Sequence, residues 1–327
     1  MRVLVVTNMY PTPAAPAFGT FVYDQVRSLR RLGVEVDVFF VNGRVSTANY
    51  FWAFPRFWLF LRGRRYDVVH AHYVLAGIIA RAQLTCPTVL THHGPEVLGQ
   101  PRWQGPLCRL VTPLFDEVIY VSEETRRKLN DNDGWVIPCG VDLDLFRPAP
   151  RDEARARLKL PATRPLVLWA GEYWRPEKRF DLVKAAMARV KELMPDAELI
   201  LLTKQPHDVV PDYMNACDVL ILTSDLEGSP MVIKEAMACN LPIVSVRVGD
   251  VPEVVGGTPG CFLVERDPTA IAGRTTEVLR SPYRTDGRSR VAHLSQDEVA
   301  HRVLEVYERA VSRRNRRIAS YVPDPRS

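Results

Sequence analysis

The sequence predicts an α/β protein built from two doubly wound parallel sheets. Short β-branched and apolar runs alternate with segments of helical spacing, which is the pattern of βαβ units. The pattern occurs in two series, and a turn-rich stretch separates them. The chain has 327 residues, enough for two domains at about 100–200 residues each.

The composition excludes several other classes of protein. Hydrophobic residues make up 46% of the chain and charged residues 25%, which are ordinary values for a globular protein. A disordered chain, a coiled coil and a small disulfide-stapled scaffold are therefore not expected. The formal net charge of +5 is too small to indicate a nucleic-acid partner by itself, and we expect none.

The first series begins with a strand at Val3–Val6, and a proline-rich loop at Asn8–Gly19 follows it. Apolar spacing predicts a helix at Phe21–Leu32, which Gly33 ends, and a β-branched strand at Val34–Val41 completes the βαβ unit. The same alternation then predicts elements at Asp67–His72, Leu75–Ala82, Thr88–His92 and Glu117–Val121.

The alternation breaks into turns at Asn132–Pro150, and we predict the domain boundary there. The predicted domains are 1–148 and 149–300, and a basic helical tail at 301–327 is expected to pack back on the first domain. The second series is predicted from strands at Leu166–Ala170, Glu198–Thr203, Val219–Thr223 and Ile243–Val246, and from helices at Asp181–Met194, Asp212–Cys217, Met231–Ala238 and Thr269–Leu279.

The cysteines and the amino terminus indicate a cytosolic protein. Six cysteines are scattered without a CxxC pair, so we expect buried, reduced thiols. Met1 leads directly into RVLVVTN, a buried-strand pattern, so no signal peptide is predicted. No apolar run approaches the ~18 residues of a membrane span.

Two segments concentrate positive charge. Residues 56–65 hold four arginines and no acid, and residues 301–327 are also rich in arginine. Basic patches on an otherwise neutral body indicate a polyanionic surface as a partner. The alternative is a pair of solvated helix faces.

The first basic segment overlaps the aromatic stretch YFWAFPRFWLF at residues 50–60. Tryptophan and phenylalanine beside arginine are the composition of an interfacial membrane helix, so an anionic membrane surface is a candidate partner. The alternative is a helix packed on the first sheet and interrupted by its proline. Four apolar residues recur at the spacing that this alternative needs: Phe51, Phe54, Trp58 and Leu61.

The stretch SDLEGSPMVIKE at residues 224–235 predicts an anion site. A strand, a glycine-containing loop and a helix start in succession direct backbone N–H groups and the positive end of a helix dipole at a ligand. The expected donors are the N–H groups of Gly228, Ser229 and Met231. The carboxylate of Glu235 suits a hydroxyl donor such as a ribose, and a surface ion pair is the alternative.

The second domain also carries a longer motif, EGSPMVIKEAMACNLPIV, with YMNACDVLILTS before it and VGDVPEVV after it. This combination resembles the donor-site signature of family 4 glycosyltransferases, which are retaining enzymes of the GT-B fold. The residues of these motifs are similar to those of a bacterial branch, the teichuronic-acid-type polysaccharide glycosyltransferases. The resemblance extends over nearly the whole chain through PAFGTFVYDQVRSLRRLGVEVDV and VIPCGVDLDLFRP. It implies two Rossmann-like domains that face each other across a cleft.

The resemblance implies roles for individual residues of the second domain. Glu235 would hydrogen-bond the ribose of a nucleotide-sugar, and Glu227 would contact hydroxyls of the donor sugar. The backbone at Gly228, Ser229 and Met231 would hold the diphosphate.

The diphosphate clamp departs from the family pattern. In the stretch GEYWRPEKRF, Lys178 stands where the family's lysine belongs, but Glu172 stands where an arginine is usual. A carboxylate facing a diphosphate would be repulsive. Either Glu172 turns away and Arg175 or Arg179 supplies the second cation, or the donor binds weakly. We expect Arg175 to supply it, because one turn of displacement in a loop is within the reach of an arginine.

Histidines of the first domain are candidates for the acceptor side. His70, His72, His92 and His93 cluster at the ends of two predicted strands. Zinc would need a third ligand that no nearby spacing supplies. The element THHGPE resembles the family's T-x-H-G-x-D, which implies that His93 lies near the transferred sugar. His72 is a candidate on the acceptor side.

The implied activity is retaining transfer of a hexose, with UDP as the usual nucleotide, to a lipid-linked or polysaccharide acceptor of the cell surface. Gly19 would let the first loop approach the donor phosphates closely. Lys178 and backbone N–H groups would stabilise the leaving diphosphate, so neither a metal nor another cofactor is expected. The implied location is the cytoplasmic face of the cell membrane.

Two other functions stay open from the sequence. A catalytically weak, nucleotide-sugar-binding partner protein is compatible with Glu172, and a nucleotide-sugar epimerase shares the two-domain pattern. A dinucleotide-dependent oxidoreductase is disfavoured, because GxGxxG is missing after the first strand.

The chain is short for the implied architecture. It passes from Leu202 to Asp212 where the family commonly carries a further helix and strand. The second domain is therefore predicted to lack about one βα unit and to have fewer than six strands.

Overall fold

A computed structural model describes the backbone of residues 1–16, 18–99 and 101–321. The chain divides into two compact units. The first is Met1–Pro138 together with Gln296–Ser327, and the second is Cys139–Ser295. The chain thus leaves the first unit earlier than the predicted boundary at 148, and the returning segment starts at Gln296, ahead of residue 301.

The first unit contains a sheet of six parallel strands in the order β2-β1-β3-β4-β5-β6. Its strands are β1 (Arg2–Thr7), β2 (Glu35–Phe40), β3 (Val68–His72), β4 (Thr88–His92), β5 (Glu117–Tyr120) and β6 (Trp135–Val136). Its helices are α1 (Thr20–Arg31), α2 (Ala48–Leu61), α3 (Val74–Ala80), α4 (Gln104–Val111), α5 (Glu123–Leu129) and, from the end of the chain, α13 (Gln296–Tyr321).

Alternating residues of β1 show how this sheet is buried on both faces. Val3 and Val5 lie in the apolar cluster formed with α1 and α13. Leu4 and Val6 lie in the cluster on the other face, with α2, α3 and α4. A parallel sheet covered by helices on both faces explains why its strands read as continuous apolar runs rather than as an alternation with polar residues.

Helix α13 packs on the first unit through its described side chains. The predicted tail at 301–327 extends beyond the described residues, which end at 321. Val303, Tyr307 and Ala310 of α13 are fully buried against this unit. Its arginines also serve this contact, since Arg313 donates to Glu117 on β5 at 2.8 Å. Part of the predicted basic patch is therefore neutralised within the unit.

The second unit contains five parallel strands in the order β11-β10-β9-β7-β8. Its strands are β7 (Leu166–Ala170), β8 (Glu198–Leu202), β9 (Val219–Leu222), β10 (Ile243–Val246) and β11 (Cys261–Val264). Its helices are α6 (Arg151–Leu158), α7 (Phe180–Leu193), α8 (Val210–Ala216), α9 (Met231–Ala238), α10 (Val251–Val255), α11 (Pro268–Arg280) and α12 (Gly287–Arg290).

The second sheet has fewer than six strands, in agreement with the prediction of a shortened domain. Between β8 and β9 the chain forms only a 3₁₀ turn at His207–Val209 and the seven-residue helix α8. Burial of α8 through Val210 and Met214 closes the core at this point.

Helix α2 continues through Pro55, which the sequence analysis expected to interrupt it. Its packed face is formed by Ala53 and Phe57, both fully buried. Phe51 and Trp58, two of the four residues in the alternative core stripe, are 71% and 66% exposed, so this stripe is not the packed face of the helix. Pro55 is also exposed. Water can therefore hydrate the carbonyl group that the proline leaves without a helical donor.

Candidate active site

The second sheet changes direction between β7 and β9. Strand β8 lies on one side of β7, and the next strand in sequence, β9, lies on the other. In doubly wound sheets, ligands bind outside the carboxyl ends of the strands at such a switch point. The loops that follow β7 and β9 hold Lys178, Glu227 and residues 228–231, so the fold brings the sequence-predicted donor residues to one place.

Lys178 and Glu227 form an ion pair at this edge. Lys178 Nζ donates to Glu227 Oε1 at 2.6 Å, and both side chains are mostly buried. Two further bonds join the same loops: Thr223 Oγ1 donates to the carbonyl of Lys178 at 3.0 Å, and the Asp225 N–H donates to that of Glu177 at 2.8 Å. The two loops are therefore one connected structure, with a cation and a carboxylate side by side.

Arg175 lies in the same loop as Lys178, but two carboxylates hold it. Its guanidinium contacts Glu177 Oε1, with Nε at 2.6 Å, and lies 3.5 Å from Glu172 Oε2. Glu172 therefore lies beside a cation of its own loop. The positive charge of Arg175 is engaged in this arrangement.

Helix α9 begins at Met231, directly after Pro230. Backbone N–H groups at the start of a helix have no partner within the helix, so a proline such as Pro230 costs no helical hydrogen bond there. Ser229 contributes its hydroxyl to neighbouring groups of the protein, so only its backbone N–H remains as a candidate for an anion.

Glu235 lies in the second turn of α9 and is 7% exposed. Its Oε1 is 3.3 Å from Nε2 of His207, in the 3₁₀ turn after β8. The ring of His207 packs against Phe146 with 5.3 Å between centroids. The carboxylate predicted to bind a ribose therefore has an imidazole beside it that the sequence analysis did not single out.

The first sheet has its own switch point between β1 and β3. Gly19 ends the loop after β1 with φ of 73°. A Cβ at this position would lie 2.4 Å from the carbonyl carbon of Met9. Glycine is therefore required here by close packing within the loop itself.

His72 and His93 come together at this edge. His72 Nδ1 lies 3.0 Å from His93 Nε2, so the two rings share one proton. His93 also stacks on Tyr73, at 4.5 Å between centroids, and contacts the ring of Phe21 at 4.8 Å. Tyr73 has φ of 72°, an unfavourable angle for a side chain of this size that only the surrounding packing can hold.

The other two histidines serve the interior of the unit. His70 bridges Tyr307 and Thr91 with contacts of 2.7 Å on both ring nitrogens. His92 Nε2 contacts Thr112 at 2.8 Å. Among the residues whose side chains the structure describes, no group of His, Cys, Asp and Glu is placed to hold a metal ion.

The Nε2 of His72 is buried and has no hydrogen-bond partner within the described part of the chain. The Nδ1 of His92 also has none, but it lies 3.5 Å from the carboxylate of Glu96. Burial lowers the pKa of His72 from 6.5 to about 3, and burial also lowers the pKa of His93 well below its usual range. Both rings are therefore neutral at physiological pH, and each has one donor and one acceptor nitrogen.

Acidification is expected to destabilise the first unit. The pKa of His72 falls from 6.5 in the unfolded chain to about 3 in the folded one, so the unfolded chain binds more protons within this interval. The contribution of neutral His72 to the free energy of unfolding is therefore fully present above pH 6.5, and it falls as the pH is lowered toward 3. At about pH 5, the titration of His72 alone should lower the free energy of unfolding by about 2 kcal/mol.

Urea unfolding at about pH 7.5 and about pH 5 measures this loss. The variant His72→Gln should reduce it, whereas His293→Gln, at an exposed position, should not. An equal pH dependence in the wild type and His72→Gln would show that His72 titrates normally in the folded chain.

Two Rossmann-like parallel-sheet units in one chain, each with loops at a switch point, have the architecture of the GT-B fold. The chain is a glycosyltransferase of this fold, and two of its segments match glycosyltransferase family models. Residues 18–145 match Glycosyltransferase Family 4, and residues 196–281 match Glycosyl transferases group 1.

A curated relative is the teichuronic acid biosynthesis glycosyltransferase TuaC of Bacillus subtilis, 24% identical over 84% of this chain and 88% of that protein. Among solved structures, sucrose-phosphate synthase of Thermosynechococcus elongatus matches with a TM-score of 0.80 and 22% identity, covering 95% of this chain and 99% of that one. The Anabaena protein HepE in complex with UDP-glucose matches with a TM-score of 0.68 and 17% identity, covering 94% and 99%.

These matches agree with the fold and class that the sequence predicted. No helix in the described part of the chain has both the length and the apolar character needed to cross a bilayer.

Proposed function

We propose that this chain is a retaining, metal-independent glycosyltransferase that moves a hexose from a nucleotide-sugar, with UDP as the favoured nucleotide, to a lipid-linked or polysaccharide acceptor in cell-surface glycan assembly. The observation that carries the proposal is the group of side chains at the switch point of the second sheet. A cation, a helix start and two carboxylates meet there: Lys178, Met231, Glu227 and Glu235.

This group matches the parts of a nucleotide-sugar. The Lys178 ammonium and the backbone N–H groups at Gly228, Ser229 and Met231 suit a diphosphate. Glu235 suits the ribose hydroxyls. The name of HepE's complex records UDP-glucose bound to a protein of this fold, which supports UDP as the nucleotide.

The chemistry follows from the leaving group. As the glycosidic C–O bond breaks, negative charge develops on the diphosphate, and a fixed ammonium with backbone dipoles stabilises that charge. The acceptor hydroxyl attacks from the face that the diphosphate leaves, and a diphosphate oxygen takes its proton. Donor binding would break the bond between Lys178 and Glu227. Lys178 would then contact the phosphate, and Glu227 would accept hydrogen bonds from hydroxyl groups of the sugar.

His93 and His72 complete the proposed machinery from the first unit. Both rings are neutral, so each can offer one hydrogen bond to a sugar hydroxyl without attracting the diphosphate. We propose that His93 contacts the transferred sugar and that the unpartnered Nε2 of His72 serves the acceptor side. Gly19 would keep the first loop narrow enough for the donor phosphates.

Arg175 is proposed as the second diphosphate cation, and it must leave Glu172 and Glu177 to act. Arg175→Ala should therefore raise the donor KM only about three- to tenfold, a smaller effect than the loss of a free cation would have. Glu172→Gln should lower the donor KM, because it removes a competitor for the guanidinium. Initial-rate kinetics of both variants test this, and wild-type kinetics in Arg175→Ala would contradict the assignment.

The acceptor proposal draws on helix α2. Its outer face exposes five large apolar side chains: Phe51, Trp52, Phe54, Trp58 and Leu59. Four exposed arginines lie on this helix or directly after it: Arg56, Arg62, Arg64 and Arg65. An apolar face bordered by cations fits an anionic membrane surface, where each arginine contributes about 1 kcal/mol. We propose that α2 docks the enzyme on the cytoplasmic leaflet, where a lipid-linked acceptor would be presented.

Vesicle flotation tests this docking. The wild type should float with vesicles containing phosphatidylglycerol at low salt, and the triple variant Phe51→Ser, Trp52→Ser, Trp58→Ser should bind at least about tenfold more weakly. Trp103→Ser is the matched control, since this tryptophan is also exposed but lies outside α2. Equal binding by the triple variant and the wild type would overturn the docking role of α2.

A panel of UDP-, GDP- and ADP-hexoses tests the transfer itself. Nucleotide release that depends on one donor and continues in EDTA, with an α-linked product from an α-linked donor by proton NMR, is the expected result. Tight donor binding without turnover would instead support the nucleotide-sugar-binding partner protein, which the contact between Glu172 and Arg175 keeps open. An inverted product or a loss of rate in EDTA would contradict the mechanism.

A further inference from the structure

A buried polar cluster lies next to the loop Glu227–Pro230, and no proposed ligand contact uses it. Lys234 on α9 is fully buried, and Asp250, at the start of α10, is 3% exposed. Lys234 Nζ donates to Asp250 Oδ2 and to Ser229 Oγ, both at 2.7 Å. Burying an ammonium is costly even when it is paired, and apolar residues could fill the same space.

The hydroxyl of Ser229 is the centre of this cluster. It donates to Asp250 Oδ2 at 2.7 Å and accepts from Lys234 Nζ and from the N–H of Cys139 at 3.1 Å. One donated and two accepted bonds use the full capacity of a serine hydroxyl. The side chain of Ser229 is therefore fixed, and its backbone N–H is fixed with it.

The backbone of the loop is held from the same side. The Asp250 N–H donates to the carbonyl of Gly228 at 3.2 Å. Gly249 has φ of 55°, and a Cβ there would lie 2.4 Å from that same carbonyl oxygen. The loop after β10 thus packs directly against the loop after β9. This contact leaves the loop after β9 no space to move toward the loop after β10.

We propose that Lys234 and Asp250 are positioning residues for the donor: their ion pair holds Ser229 and Gly228 so that the backbone N–H groups before α9 are directed at the diphosphate. This inference rests on the proposed function of that loop. Displacing such a donor by about 1 Å can cost about 100-fold in rate. The pair acts through the loop and touches no substrate.

The test separates positioning from stability by removing both charges together. Lys234→Met alone would leave Asp250 buried and unpaired, but the double variant Lys234→Met, Asp250→Asn leaves no uncompensated charge. The double variant should unfold near the wild-type temperature and still bind UDP at least about tenfold more weakly by calorimetry, with a similar rise in the donor KM and an unchanged acceptor KM.

The matched control is the buried pair Arg155 and Asp218, 2.9 Å apart in the same unit. Asp218 N–H bonds to Leu166, at the amino edge of the sheet, away from the switch-point loops. Arg155→Met with Asp218→Asn should leave the UDP affinity unchanged. If the double variant at Lys234 does not fold, Asp250→Asn alone should still weaken UDP binding several-fold.

Wild-type UDP affinity in folded Lys234 and Asp250 variants would overturn the positioning role and leave the proposed function intact. A wild-type chain that binds none of UDP, GDP and ADP would overturn the proposed function, and this inference with it.

Discussion

Lys178→Ala is expected to lower kcat/KM for the nucleotide-sugar by about 100- to 1000-fold, the usual cost of removing one group that stabilises developing charge. The ammonium of Lys178 is bonded to the carboxylate of Glu227. When the nucleotide-sugar binds, its diphosphate can take the place of this carboxylate. Because the charge on the diphosphate grows during bond cleavage, kcat should fall more than KM rises.

Lys191→Ala is the matched control, since Lys191 is an exposed lysine on the neighbouring helix α7. It should retain wild-type kinetics. Thermal unfolding of both variants is measured beside the kinetics, because Lys178→Ala leaves the mostly buried carboxylate of Glu227 without its cation and can lower stability. A loss of less than about fivefold in Lys178→Ala would contradict the role of this lysine.

Glu235→Ala is expected to abolish discrimination between UDP and 2′,3′-dideoxy-UDP. If the Glu235 carboxylate accepts hydrogen bonds from the ribose hydroxyls, the wild type should bind UDP more tightly than the dideoxy compound. The expected difference is about 1.5–3 kcal/mol, the contribution of a hydrogen bond to a charged group. In Glu235→Ala the two ligands should bind equally. Calorimetric titration of both ligands into both proteins measures the difference.

Glu192→Ala provides the control, because Glu192 is an exposed carboxylate on α7. It should preserve the preference for the ribose. A preference that persists in Glu235→Ala would assign the ribose contact to another group, for which His207, 3.3 Å from this carboxylate, is a candidate.

Most of the fold could be predicted from the sequence, because parallel strands buried on both faces leave a clear apolar signal. Val3–Val6 and Leu166–Ala170 are examples: the first lies within β1, and the second coincides with β7. The prediction of a shortened second domain also agrees with the five strands of its sheet. The face of α2 could not be predicted, because aromatic residues occur all around this helix and periodicity alone does not show which side is covered.

The site residues divide in the same way. Glu227 and Glu235 could be singled out because they lie in a long motif with fixed spacing, and Lys178 because of its place in GEYWRPEKRF; their roles toward the donor stay predictions. Lys234 and Asp250 were not singled out, since a lysine and an aspartate far apart in sequence give no signal until the strand order brings β9 and β10 together.

Hydrogen–deuterium exchange with a saturating nucleotide-sugar tests the central claim most directly, because it locates the donor on the chain. We expect slower exchange in peptides covering residues 171–180 and 223–238, the loops after β7 and β9 with helix α9, and weaker protection of the same peptides in the Lys178→Ala variant when the donor is below saturation. Protection confined to the first unit, or none at a donor concentration that supports turnover, would contradict the placement of the donor site in the second unit.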